Sequence, residues 1–536
     1  MHARFSPDGT KVAFVRGNNL FIKDLISGKE TQVTKDGKQN SIINGATDWV
    51  YEEEFAISIA HFWSPDSKKI AYYKFDESQV KEFSFDEFNN QLYPTQYRFK
   101  YPKAGEKNSI VTIHVYDLTS GTDKLMDIGK ETDQYIPSIK WTLDANTLSI
   151  LRMNRYQNKL DLLFANAGTG ESRIVYTESN DTYIDIHEGE GDYAHFTADK
   201  KNFIIQSEKD GYNHLYLYDI TGKLVNQITK GNWAVVSIKG IDDNTRTIFY
   251  TASETTATEK DIYSVKLDGS GKKKISTEKG THNPDFSTGM KYYINTFSDA
   301  NSPNLITINN QQGKLIRVLE SNEVLKNKMR EFNLSPKELF TFKTSENIEL
   351  NGWMIKPPDF SAAKKYPVFL TFYGGPGRNM VNNSFDGSNY FWFQMLAQKG
   401  YIVICVDNRG TGYRGTAFKK STYKQLGKLE VADQIEAAKY MGTLPYVDKT
   451  RIGTFGWSYG GYLSSLCITK GADYFKTAIA VAPVTNWRYY DNIYTERYMS
   501  LPQENASGYD NNSPINHVNK LKGKYLLIHG SGDDNV

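Results

Sequence analysis

The pentapeptide GWSYG, Gly456 to Gly460, fits the pattern G-x-S-x-G and stands between two telling neighbours. RIGTFGW before it reads as a strand and YGGYLSSLCI after it as a helix, so Ser458 is expected on a strained strand-to-helix turn, as a nucleophile. The N–H of Tyr459 would then point at the oxyanion that develops during attack. In this arrangement the acid follows the serine along the chain and the histidine follows the acid. KYLLIHGSGDDNV reads as a strand ending in a polar loop, which makes Asp533 and Asp534 the candidate acids, with simple turn chemistry as the alternative. No histidine follows them before Val536. His517 precedes the acid and His529 sits at the strand end, where packing or hydrogen bonding is the expected role.

DWVYEEEF, residues 48 to 55, crowds Glu52, Glu53 and Glu54 among Trp49, Val50, Tyr51 and Phe55. A charge run is ordinarily a solvated face. Here the aromatic flanks demand burial and place the run at a wall or mouth. Carboxylates gathered at a half-buried site need a cation to stay ionised. A metal is a poor candidate. His61, His114, His187, His195, His214 and His282 show no HExxH or other ligand spacing, so structural or solvated roles are expected. GGPG, in FYGGPG, lacks the Lys and Ser/Thr of a phosphate loop, and no cofactor is expected.

Two kinds of element must position these residues. The first part of the chain alternates short strand patterns with Asp-, Gly- and Asn-rich turns. One phrase recurs as FSPDGTKVAFV at 5, WSPDSKKIAYY at 63 and WTLDANTLSIL at 141. Looser copies follow at 196, 241 and 286. Late spacings of about 45 residues match a four-stranded propeller blade; a β-sandwich array is the alternative. After about residue 330 strands run into Gly-rich loops and alternate with helical patterns, the grammar of an α/β fold with a mostly parallel sheet. LEVADQIEAAKYM is read as a helix with Val431, Ile435, Ala438 and Tyr440 on its buried face. The expected domains are a β-propeller over 1–328 and an α/β-hydrolase domain over 329–536.

A chain of 536 residues exceeds one hydrophobic core. A net charge of +2 gives no electrostatic footprint for nucleic acid, and no apolar run is long enough to span a membrane. Cys405 and Cys467 read as inert packing residues.

These motifs resemble the dipeptidyl peptidase IV branch of the prolyl oligopeptidase family. The resemblance covers nearly the whole chain and rests on DWVYEEEF, KKYPVFLTFYGGPG, DNRGTGYRG, GWSYGGY, VAPVTNWRYYDNIYTERYM and YLLIHGSGDDNV, in family order. It implies an eight-bladed propeller joined to an α/β-hydrolase domain, and removal of dipeptides with proline or alanine second. Position by position it makes Ser458 the nucleophile, Asp533 the triad acid, and the Tyr373 hydroxyl a partner of the Tyr459 N–H in the oxyanion hole. It assigns Glu53 and Glu54 to the α-ammonium of a peptide substrate, so the missing cation is the substrate's own N-terminus. Tyr459, Val484, Trp487, Tyr490, Tyr494 and Val536 match the lining of the proline pocket, and Asn535 a contact to the first substrate carbonyl.

Only about six blades are visible, and both a propeller arginine of the family and the triad histidine fall outside 1–536. A fragment cut at both ends is therefore expected, inactive by itself. The resemblance also implies homodimers, and periplasmic or exported bacterial members. The rival readings are a tripeptidyl, acylaminoacyl or endo-acting prolyl peptidase, an esterase, and a catalytically dead protein-binding platform.

Overall fold

The computed structural model describes residues 1–186 and 193–536; His187 lies outside them. Among the described residues, the strands from Arg4 to Glu320 form six antiparallel sheets of four or five strands, each built around a meander, and one further two-stranded sheet. The recurring phrase marks the first hairpin of each blade, and its chemistry explains the recurrence. In FSPDGTK the Ser6 hydroxyl donates to Asp8 Oδ1 at 2.6 Å and the Thr10 N–H donates to the same oxygen at 3.0 Å. Ser64 and Lys68 repeat this on Asp66, and Thr197 and Lys201 on Asp199. A short hydroxyl and an aspartate thus satisfy the turn's backbone donors where the strands cannot.

The second blade carries two insertions. One holds the helix Trp49–Phe55, N-capped by Asp48, whose carboxylate accepts from the Tyr51 N–H. The other is a two-stranded arm, Glu82–Glu87 paired with Thr95–Lys100.

From Lys337 onward a seven-stranded sheet runs in the order Lys337–Lys343, Glu349–Ile355, Ile402–Asp407, Tyr366–Thr371, Val447–Trp457, Thr477–Val481, Lys524–Ile528. The first two pairings, Lys337–Lys343 with Glu349–Ile355 and Glu349–Ile355 with Ile402–Asp407, are antiparallel and the other four are parallel. Ile402–Asp407 is buried along its whole length, as a central parallel strand should be. Cys405 lies on it and Cys467 in a helix, both buried and free.

The helix Lys428–Thr443 departs from its expected face. Val431 and Ala438 are buried, but Ile435 and Tyr440 are only half-buried, while Glu430, Asp433 and Gln434 take the interior positions. Each is partnered: Glu430 by the Tyr459 hydroxyl, Asp433 by Arg409, and Gln434 by the Val406 carbonyl. Side-chain partners rather than hydropathy set this face.

The blades and the sheet meet through buried polar contacts. The Arg155 guanidinium forks onto both oxygens of Glu496 at 2.8 Å, and Gln157 accepts from Arg497 at 2.7 Å while donating to the Ile493 carbonyl. Lys419 pairs with Asp185 at 2.6 Å and with Glu208. Glu496 and Arg497 belong to the helix Asn492–Met499, which therefore answers to both bodies.

Candidate active site

Three parallel strands end together at one edge of the sheet. In register, Trp457 lies opposite Val481 and Val481 opposite Ile528. The turn after Trp457 and the loop after Ile528 are thus two strand spacings apart, about 10 Å. Thr371 aligns with Phe455 on the other side, so Tyr373 leaves its strand beside the same turn.

Ser458 occupies that turn with φ 55° and ψ −115°, and its N–H donates to the Val481 carbonyl at 2.9 Å. A non-glycine residue there stores about 1–3 kcal/mol of strain, which the surrounding packing must hold. The adjoining glycines show how tight that packing is. A Cβ on Gly456 would lie 2.2 Å from the Gly460 backbone, and one on Gly460 would lie 2.3 Å from the Phe372 carbonyl oxygen. No larger residue fits at either position. Ser458 N-caps the helix Tyr459–Lys470, so the first N–H groups of that helix lie beside the hydroxyl.

Tyr373 and Tyr459 stand with ring centroids 5.8 Å apart. Burial pushes the Tyr373 hydroxyl up to about 12, so it keeps its proton and remains a donor. The Tyr459 hydroxyl is spent on Glu430 at 2.7 Å, leaving its ring for packing.

That ring joins an aromatic box. Trp487 stacks on Tyr494 at 5.7 Å, Tyr490 meets Tyr494 edge-on at 5.4 Å, and Tyr459 lies 5.5 Å from Trp487. Val484 is buried in the same cluster, with Tyr494 and Val536 half-covered against it. The box floor is set by local capping: Asn486 accepts from the Arg488 N–H, and Asp491 from the Tyr494 N–H at 2.9 Å.

In the loop after Ile528, Asp533 Oδ1 accepts the N–H groups of Asn535 and Val536 at 3.0 and 2.8 Å. His529 Nε2 is 3.9 Å from Asp533 Oδ2, its other nitrogen facing the Gly530 carbonyl. His517 is engaged with the Asn511 carbonyl. In the blades His61, His214 and His282 hydrogen-bond backbone carbonyls, and His114 bonds Asp123. Among the described residues no group of His, Cys, Asp or Glu converges as a metal ion requires, and no helix is long and apolar enough to cross a membrane.

The three glutamates part company on their helix. Glu52 and Glu53 face outward, while Glu54 is buried with Val50, Tyr51 and Phe55. Glu53 Oε1 accepts from the Asn535 side chain at 2.6 Å, which brings the run directly onto the Asp533 loop. Glu54 meets Asp491 and Arg497 of the neighbouring helix. Burial, then the Asp491 charge, raises the Glu54 carboxyl well above its ordinary range, and burial raises Asp491 as well. The Arg497 charge opposes both shifts, and a further cation docking there would favour the ionised forms.

Sequence reasoning misses Asp491 and Arg497. Asp491 does carry a readable signal, an aspartate just before a helical run. The role of Arg497 depends on a fold contact that no local pattern announces.

A propeller set against an α/β-hydrolase sheet, with a strained serine turn at their junction, defines a class of protein, and comparison with known proteins narrows it. Residues 1–304 match the family described as dipeptidyl peptidase IV (DPP IV) N-terminal region, and residues 387–536 the prolyl oligopeptidase family. The chain is 36% identical to a probable dipeptidyl-aminopeptidase B of Trichophyton verrucosum (strain HKI 0517), with all of this chain and 62% of that protein aligned. It is 33% identical to a probable dipeptidyl peptidase 4 of Emericella nidulans, spanning 71% of its length. The crystal structure of Porphyromonas gingivalis dipeptidyl peptidase 4 superposes with a TM-score of 0.95 at 42% identity, covering 100% of this chain and 75% of that one. The chain belongs to the dipeptidyl peptidase IV branch of the prolyl oligopeptidase family.

Proposed function

We propose that this chain carries the substrate-binding and acylation machinery of a serine exopeptidase that releases N-terminal dipeptides with proline or alanine second. One observation carries the reading: the Glu53 carboxylate and the Asp533 loop are joined by a 2.6 Å hydrogen bond through Asn535. A carboxylate pair tied to that loop, whose strand ends two strand spacings from the serine turn, acts as a ruler. The peptide's α-ammonium docks on Glu53 and Glu54, each charge-assisted bond contributing about 1.5–3 kcal/mol. Asn535 holds the first carbonyl. The second side chain enters the box of Tyr459, Val484, Trp487, Tyr490, Tyr494 and Val536, where burying a pyrrolidine contributes about 1.5–3 kcal/mol.

The Ser458 hydroxyl then attacks the second carbonyl. The Tyr459 N–H and the Tyr373 hydroxyl stabilise the oxyanion, and the proton passes to a histidine oriented by Asp533, which follows the acid in this fold's chain order. The histidine returns that proton to the leaving amine, and water releases the dipeptide from the acyl-enzyme. The substrate class is peptides with a free N-terminus.

The test is hydrolysis of a chromogenic Gly-Pro amide by the full-length protein. Ser458→Ala is expected to lower kcat by about 10⁶. The N-acetylated substrate is expected to be cleaved far more slowly. Equal cleavage of free and acetylated substrates would replace the exopeptidase reading with an endopeptidase or esterase.

A further inference from the structure

We propose that Trp49 and Tyr101, which lie outside both the aromatic box and the proton relay, are positioning residues that hold the Asp533 loop in its working geometry. The proposal rests on the serine-peptidase reading above and adds to it two residues with no assigned role.

Asp533 Oδ1 is aimed by the backbone N–H groups of Asn535 and Val536. Its direction is therefore set by whatever fixes those two residues. The surrounding loop is otherwise open: Ser531, Gly532 and Asp534 are exposed. Three tethers reach it from the propeller side. The Tyr101 hydroxyl donates to the Asn535 carbonyl at 2.8 Å, the Trp49 indole N–H to Asp534 Oδ2 at 3.3 Å, and the Asn535 amide to Glu53.

The tethers are themselves braced. Tyr101 is only 4% exposed, and its ring lies 4.6 Å from Trp49 and 6.0 Å from both Phe83 and Phe99 at the base of the arm. The residues after it dock onto the box: the Asn492 N–H donates to the Pro102 carbonyl at 2.9 Å, and the Ala104 N–H to the Tyr490 carbonyl at 3.0 Å. Tyr101 thus links two parts that must agree, the box that places the scissile bond and the loop that carries the acid. An acid whose task is to orient an imidazolium must itself be held within a fraction of an ångström.

Removing a single hydroxyl or N–H isolates the tether from the packing. In the full-length protein, Tyr101→Phe and Trp49→Phe are expected to lower kcat by about 10- to 100-fold. KM for a Gly-Pro amide should stay within about twofold and the melting temperature should be unchanged. Labelling of Ser458 by a fluorophosphonate should slow in parallel, and amide hydrogen exchange over residues 530–536 should speed up. A merely structural role would lower the melting temperature without separating kcat from KM. Wild-type kcat, labelling rate and loop exchange in both variants would overturn the proposal. If the wild-type protein cleaves no Gly-Pro substrate, the exopeptidase reading fails instead, and the loop-exchange comparison still decides whether the tethers hold the loop.

Discussion

The serine turn and the glutamate helix face the same space, yet they are specified by different physics. The turn is fixed from within: Gly456 and Gly460 are there because a Cβ would lie 2.2–2.3 Å from backbone atoms. Ser458 could occupy its position in any protein with that strand and helix. The glutamate helix is seven residues long, too short to persist alone. Its place comes from Val50, Tyr51 and Phe55 sunk in the blade core and from its packing against the Asn492–Met499 helix and the Asp533 loop. A serine turn can be written in a local motif, whereas the placement of the glutamate helix needs two bodies.

That difference can be broken experimentally, the largest effect coming from the turn. Under the proposed function Tyr373→Phe removes a donor used only when the oxyanion forms, so kcat should fall by about 10²- to 10³-fold with KM little changed. A defect mainly in KM would move Tyr373 into ground-state binding. On the other side, Glu53→Gln or Glu54→Gln removes a carboxylate that, under the proposed function, faces a desolvated ammonium. A loss of about 2–4 kcal/mol corresponds to a fall of about 30- to 1,000-fold in kcat/KM. Acetylating the substrate should mimic this with the wild-type protein, and should add little in the Glu variants.

Smaller effects sharpen the comparison. Tyr490→Ala opens the box and, under the proposed function, should narrow the preference for proline over leucine at the second position by about tenfold, the effect of losing about 1.5 kcal/mol of pyrrolidine burial. Unchanged selectivity would place the second side chain elsewhere. The mildest test is pH. Glu54 and Asp491 both have raised carboxyl pKa values, and docking an ammonium favours their ionised forms. KM for a free-amine substrate should therefore fall as pH rises toward and through neutrality, and Asp491→Asn should flatten that dependence. A KM independent of pH in the wild type would mean the pair is already ionised before substrate arrives.

The propeller was legible because its turns repeat a chemistry, hydroxyl and aspartate against backbone N–H, that survives in the letters FSPDG, WSPDS and FTADK. The α/β sheet was legible through apolar strands such as IVICVD, buried at every position. What local pattern could not supply was partnership. Tyr440 and Ile435 read as core yet are half-covered, because Glu430, Asp433 and Gln434 found buried partners on other elements. Trp49 reads as a packing aromatic, and only the fold reveals that its indole N–H and the Tyr101 hydroxyl reach Asp534 and Asn535, more than 400 residues away in sequence.

The fork between Arg155 and Glu496 bears on how the molecule comes apart. Both side chains are largely shielded from water, and Glu496 draws its cation from the opposite body. Separating blades from sheet would give up this shielded pair together with the Gln157–Arg497 pair and the Gln157 contact to Ile493, so the two bodies are coupled through buried polar contacts. Heat should therefore not peel one half from the other and leave it standing. A calorimetric trace should show one cooperative endotherm, and Arg155→Met should split it in two.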